Sequence, residues 1–177
     1  SGHNQETYPS YSVIEFQFPA RGSRPAVKMF WYDGGKKPSR ELLPPANLIK
    51  GVNVRTGSLV IGDKGSLLSP GDYGGDGNTG ILAGGEYTRQ RQLKKSVEFT
   101  KSPGHFTEWV RAIKGGPESV SNFPNYSGPL TETVLLGNLA VWADGKKIDW
   151  DAKNLVAKNA PEVAHIVKKE YHNGYSL

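Results

Sequence analysis

The stretch Tyr11–Asp33, YSVIEFQFPARGSRPAVKMFWYD, decides how this chain is read. Its first part alternates. Ile14, Phe16 and Phe18 fall on one face of an extended backbone and Val13, Glu15 and Gln17 on the other, which predicts a half-buried strand. PARGSRP then turns the chain. The second part alternates again, setting Val27, Met29 and Trp31 opposite Lys28, Phe30 and Tyr32. Large apolar groups on both faces of this second strand predict a central place in a sheet.

Outward from that pair of strands, DGGKKP is turn chemistry, and the proline-rich stretch through Pro44-Pro45 is loop. Two short apolar runs in SLVIGDKGSLLS flank Gly62-Asp63-Lys64-Gly65 and predict a hairpin. A glycine-rich loop follows, then a short strand, ILA, and a polar stretch that ends near VEF. Beyond it the apolar period changes from two to 3.6. Ser102-Pro103 offers an N-cap and a first-turn proline. Phe106, Trp109, Val110 and Ile113 then form one apolar stripe, which Gly115-Gly116 ends.

A second helix begins near Pro129, with Glu132 placed against the positive end of its dipole. Leu130, Val134, Leu135, Leu136, Leu139 and Trp142 cover enough of its circumference to predict burial on several sides. GKKIDW returns as a strand. The last helix opens on Asn159-x-x-Glu162, a capping-box-like pairing, and carries Val163, Ile166, Val167 and Tyr171 before Asn173-Gly174. Strands first and helices later, without βαβ alternation, predict an α+β fold. Its sheet is expected to be open and mostly antiparallel, with helices packed on one face. One domain over residues 1–177 accommodates all of this, and no internal repeat is present.

Composition narrows the function classes. With 36% hydrophobic and 22% charged residues the chain is a folding sequence, not a disordered tail. No apolar run approaches the roughly 18 to 20 residues of a membrane span. The start, SGHNQETYPSY, has neither a basic n-region nor an apolar h-region, although a processed precursor or an excised piece would look the same. The absence of cysteine excludes disulfides, thiolate nucleophiles and cysteine–zinc sites, and leaves the compartment open. The net charge of +5 is spread over Lys36-Lys37, Lys94-Lys95, Lys146-Lys147 and Lys168-Lys169, each near a turn or on a solvent face. Nucleic-acid binding needs such charges clustered among exposed aromatics, so neither a nucleic acid nor a membrane is expected as partner.

GDYGGDGNTG, Gly71–Gly80, contains Gly75-x-Gly77-x-x-Gly80, the spacing of a dinucleotide-binding fingerprint. That motif works only where a helix opens at the third glycine and offers its free N–H groups to a pyrophosphate. Here ILAGGEYTRQ follows, with two more glycines after three residues, so the expectation is a loop that binds no cofactor. The four histidines, His3, His105, His165 and His172, show no metal-ligand spacing. His105 lies in the first turn of the best helix, one position off its stripe. There it either faces a cleft or is a partly buried, hydrogen-bonded structural histidine. Asp72 and Tyr73 would touch a polyol if their loop is a lid, and are otherwise an exposed turn. Trp31-Tyr32-Asp33 reads as a sugar-stacking platform or, more plainly, as a core or subunit contact. There is no G-x-S-x-G elbow and no P-loop.

Several segments together resemble a known family. FPARGSRPAVKMFWYDGGKKP, VIGDKGSLLSPGDYGG, SPGHFTEWVRAIKGG, SNFPNYSGPLTETVLLGNLAV and the closing KKIDWDAKNL through GYSL look like the C-terminal half of bacterial Gfo/Idh/MocA-family oxidoreductases. The likeness runs from about Tyr8 to Leu177, and the run Gly128–Asn138 is its most specific part. It implies a C-terminal α+β domain, built on a large open antiparallel sheet, that closes the substrate pocket of an enzyme whose N-terminal Rossmann domain holds NAD or NADP. Substrates of that family are typically sugars, sugar acids, inositols or glycosides, and the outer sheet face commonly forms the oligomer.

The Rossmann fingerprint, the Glu-Lys-Pro segment with the family's lysine and the segment with its histidine are all missing here. No catalytic, cofactor-binding or metal position can therefore be carried over. The expectation is a truncated substrate-side and oligomerisation domain, a homodimer or higher, not catalytic alone. The rival readings are a stand-alone carbohydrate-binding or scaffold module, and part of an NAD-dependent glycosidase of the same family.

Overall fold

A computed structural model describes residues 4, 6–72, 77–99, 101–168 and 171–175. The chain, expected to be one domain, divides into two compact units: Ser1–Lys37 together with Ser102–Leu177, and Pro38–Lys101.

The first unit starts with the anticipated hairpin. β1 (Val13–Phe18) and β2 (Val27–Tyr32) pair antiparallel, with Ile14 opposite Trp31, Phe16 opposite Met29 and Phe18 opposite Val27. Partners across an antiparallel pair share a face, so these six side chains form one apolar face. Val13, Glu15, Gln17, Lys28, Phe30 and Tyr32 form the other. β2 is not central, because among the described residues its sheet has two strands and both are edges. Its second apolar face is accordingly left open, and Phe30 is exposed there.

α2 (Gly128–Trp142) lies against the apolar face. A methyl group on Gly137 would stand 3.1 Å from Phe16 Cζ and 3.3 Å from Ile14 Cδ1, so glycine lets the helix approach the strand that closely. Leu139, at 5% exposure, and Ala143 face another way and pack with Ala157, Ala160 and Val163. Those partners come from the short pair β7 (Trp150–Asp151) and β8 (Val156–Ala157) and the turn that follows. Burial on several sides is thus met on two, while Leu130, Val134 and Leu135 stay exposed.

The C-terminal helix is much shorter than its pattern predicts. A 3₁₀ turn at Pro161–Val163 runs into α3, which spans only Ala164–Val167. The capping box does not form. Asn159 instead accepts from the Asp149 amide at 2.8 Å and donates to the Lys147 carbonyl at 2.7 Å, while Glu162 pairs with Lys146 at 3.2 Å. Glu132 is also differently used. It lies beyond the first turn of α2 and accepts the Trp150 indole N–H at 2.6 Å, tying the helix to β7.

The second unit is an antiparallel meander in the order β3 (Gly57–Gly62), β4 (Gly65–Pro70), β5 (Gly80–Ala83) and β6 (Glu86–Arg89). The hairpin read around Asp63-Lys64 is its first turn, with Gly62 opposite Gly65. The strand ILA is β5. β6 lies inside the polar stretch, whose composition carries no strand signal. Ile49, Leu68, Pro44 and Pro70 are the buried side chains of this unit among the described residues. The architecture is α+β with antiparallel sheets, as expected. Among the described residues the strands form three separate sheets of two, four and two strands in place of one large sheet.

Candidate functional site

The open end of the first hairpin is closed by a side-chain and backbone hydrogen-bond network. Asp33 follows β2, and its carboxylate accepts from the Ser12 amide and, at 2.7 Å, from the Ser12 hydroxyl; its own N–H donates to the Ser12 carbonyl at 3.1 Å. Partial desolvation pushes the Asp33 carboxyl up. The hydrogen bonds from Ser12 and from the Trp31 side chain outweigh it, and the group sits below the ordinary aspartate range. Lys36 stands 4.1 Å from the centre of the Tyr11 ring, a cation–π contact at the same end.

Trp31, 54% exposed, and Tyr32 are neighbours in a regular strand and therefore project from opposite faces. They do not make one stacking platform. Tyr32 pairs instead with Phe30 on the second face, ring centres 6.5 Å apart and tilted by 31°. Beside the start of β1 and the end of α2 is an open recess of 320 Å³, lined by Tyr11, Ser12, Val13, Glu15, Val141 and Asp144 among others. Two carboxylates and a tyrosine ring suit hydrogen bonding to hydroxyl groups. They offer no activated nucleophile, and Glu15 is already paired with Lys28 at 3.7 Å.

His105 is the first residue of α1 (His105–Ile113) and is exposed, so it is not the partly buried structural histidine of the plainer reading. The helix begins two residues later than Ser102-Pro103 predicts, with Gly104 at its N-cap, and Ser102 Oγ accepts from the Gly104 amide at 3.0 Å. Glu108, one turn in, accepts the Val120 amide at 3.1 Å. The Ser102 hydroxyl and then the Val120 amide hold the Glu108 carboxyl below its usual range, and His105 adds to the effect. His105 thus sits beside a carboxylate that is committed to structure.

The apolar stripe of α1 is present and uncovered. Phe106 is 82% exposed and Ile113 67%, and no residue of the helix is buried. Val120 and Phe123, just beyond it, are exposed as well.

In the second unit Asp72 is exposed, and Tyr73 lies outside the described residues together with Gly75 of the glycine motif. Gly80, the motif's third glycine, opens β5 and not a helix. A methyl there would stand 2.6 Å from Tyr87 Cζ and 2.7 Å from the Thr88 carbonyl oxygen, so this glycine serves cross-strand packing. The end of the loop is pinned: Tyr87 donates to the Asn78 carbonyl at 2.8 Å, and Arg89 to the Asn78 side chain at 3.1 Å. A shallow groove of 460 Å³ in this unit is mostly apolar, with Leu42, Pro45, Leu48, Ile61 and Leu82 in its lining.

Among the described residues no group of three or more His, Asp or Glu side chains is arranged to hold a metal ion, and no helix is long and apolar enough to cross a membrane. His165 is drawn into structure, its Nδ1 3.0 Å from the Glu162 carbonyl and its ring edge-on to Trp142. Sequence reasoning missed the Ser12–Asp33 network because its partners lie 21 residues apart and only the strand register joins them. Comparison of the chain with protein-family models, with curated proteins and with solved structures gives no match.

Proposed function

We propose that this chain is the substrate-side and oligomerisation domain of an NAD(P)-dependent oxidoreductase acting on a sugar, sugar acid, inositol or glycoside. The observation that carries the proposal is α1. A nine-residue helix is marginal in water on its own, yet this one keeps Phe106, Trp109, Val110 and Ile113 uncovered. An amphipathic helix with an unburied stripe is what a domain presents when its partner domain supplies the other half of a core. The α+β build with antiparallel sheets agrees with that role, as does the resemblance of SPGHFTEWVRAIKGG and GPLTETVLLGN to the Gfo/Idh/MocA C-terminal half. Phe30 and Val13 on the second face of the β1–β2 sheet supply the self-association surface.

The chain alone is then structurally competent and not catalytic. The test is calorimetry with NAD(H) and NADP(H) on this chain and on the full-length product of its gene, followed by a screen of polyols and glycosides for cofactor reduction. Binding and turnover are expected from the full-length protein only. Micromolar dinucleotide binding by this chain, or a full-length protein that binds none, would sink the reading.

A further inference from the structure

The tip of the first hairpin carries two like charges and, among the described residues, no ion-pair partner for either. Beyond the named ends of β1 and β2, Arg21 and Arg24 form a further antiparallel bridge. The Arg21 amide donates to the Arg24 carbonyl at 3.0 Å and the Arg24 amide to the Arg21 carbonyl at 3.1 Å. Residues that exchange both hydrogen bonds stand directly opposite, with Cα atoms about 5.5 Å apart and side chains on one face. Gly22, at φ 60°, and Ser23 make the turn between them. Pro19 and Pro25 restrict the backbone on either side. The two arginine side chains therefore leave the backbone on the same face of a short tip.

Like charges directly opposite oppose strand pairing, and among the described residues no ion pair offsets this one. No residue from Phe16 to Val27 is acidic. Among the described residues the ion pairs are Lys28–Glu15, Lys146–Glu162 and Lys158–Asp151, and none involves either arginine. Lys28, farther along β2, has its carboxylate, while Arg21 and Arg24, both exposed, have none among the described residues.

We propose that Arg21 and Arg24 clasp the phosphate group of a phosphorylated small molecule. Each guanidinium is a planar fork that matches two oxygens of an oxyanion. A carboxylate carries one charge and two oxygens, which a single fork satisfies. A phosphate monoester carries close to two charges and three free oxygens, which matches two forks. Because the tip is held by two backbone hydrogen bonds and two prolines, little backbone order has to be acquired on binding. The site lies at the far end of the hairpin from Ser12, Trp31 and Asp33, and it stands apart from the dinucleotide reading.

The test is a titration of the ¹⁵N-labelled chain at low salt, followed by amide chemical shifts, with inorganic phosphate, glucose 6-phosphate and gluconate. Saturable shifts confined to residues around 20–25 are expected for both phosphates, with gluconate at least about tenfold weaker. Arg21→Gln and Arg24→Gln should each weaken phosphate binding about tenfold or more while the Ser12 and Asp33 amides keep their positions. Arg21→Lys, which keeps the charge and loses the fork, should weaken it too, and Lys36→Gln should not. Phosphate binding retained in the double glutamine variant, shifts spread over the lysine doublets, or equal binding of gluconate would each overturn the proposal.

Discussion

α1 and α2 are both helices that the sequence announces, and they differ in what surrounds them. α1 has a single clean stripe and buries none of its residues. α2 is apolar nearly all round, and it places Gly137 against Phe16 and Ile14 on one side and Leu139 among Ala157, Ala160 and Val163 on another. A 3.6-residue period says that a helix has a side to bury. It does not say whether the partner for that side is within the same chain. The stripe that was easiest to read is therefore the one left uncovered.

The largest way to break this contrast is to truncate one large apolar side chain on each helix. Leu139→Ala should cost about 2–5 kcal/mol, since its neighbours are themselves packed and cannot fully collapse into the space. Phe106→Ala, on an exposed stripe, should change stability by no more than about 0.5 kcal/mol. Urea unfolding of the two variants measures both. A Phe106→Ala loss as large as that of Leu139→Ala would mean that α1 is packed within this chain after all.

A smaller effect sharpens the account of α2. Gly137→Ala gains up to about 1 kcal/mol of helix propensity, while its methyl meets Phe16 and Ile14 at 3.1 and 3.3 Å. Gly137→Val adds two further methyl groups at that contact and should lose about 1–3 kcal/mol by overpacking. The expected order is therefore alanine near neutral and valine clearly destabilised, read from denaturation midpoints. Valine at no cost would mean that helix and strand are not in close contact.

The same contrast explains what could be read in advance. The alternation in VIEFQF and VKMFWY gave the strands, and Asp63-Lys64 between glycines gave the hairpin turn, because both signals are local. The failures are long-range. Apolar groups on both faces of β2 argue for a central strand, but one of those faces is open. Trp31 and Tyr32 look like a platform in the one-dimensional string and separate once the strand's period of two is applied. Asn159 and Glu162 have capping-box spacing, yet Asn159 finds better partners in Asp149 and Lys147, a choice that only the fold presents. β6, EYTR, was hidden in a polar run because Tyr87 alone signals its inner face. The candidate site was the least legible part. Asp33 and Ser12 meet only through strand register, and His105 turned out to be exposed beside a carboxylate already engaged.

The smallest expected effect tests how α1 stays helical without a core. Glu108 takes the Val120 amide and the Ser102 hydroxyl, so it ties the first turn to the segments on both sides of the helix. These bonds favour the charged form and lower its pKa, and the sign follows. The contribution is complete above the unfolded glutamate value of about 4.3 and is lost as pH falls through the lower folded value. Amide-exchange protection over His105–Ile113 should therefore decline in acid, starting below about pH 4.3, before the α2 amides respond. In Glu108→Gln the carbonyl can still accept from Val120 but the charge is gone, so α1 protection should start lower and stay flat across that range. The global unfolding midpoint should hardly move in either case, because an exposed carboxylate contributes little to the core. Parallel pH profiles for α1 in the two proteins would show that the helix is held by something other than this carboxylate.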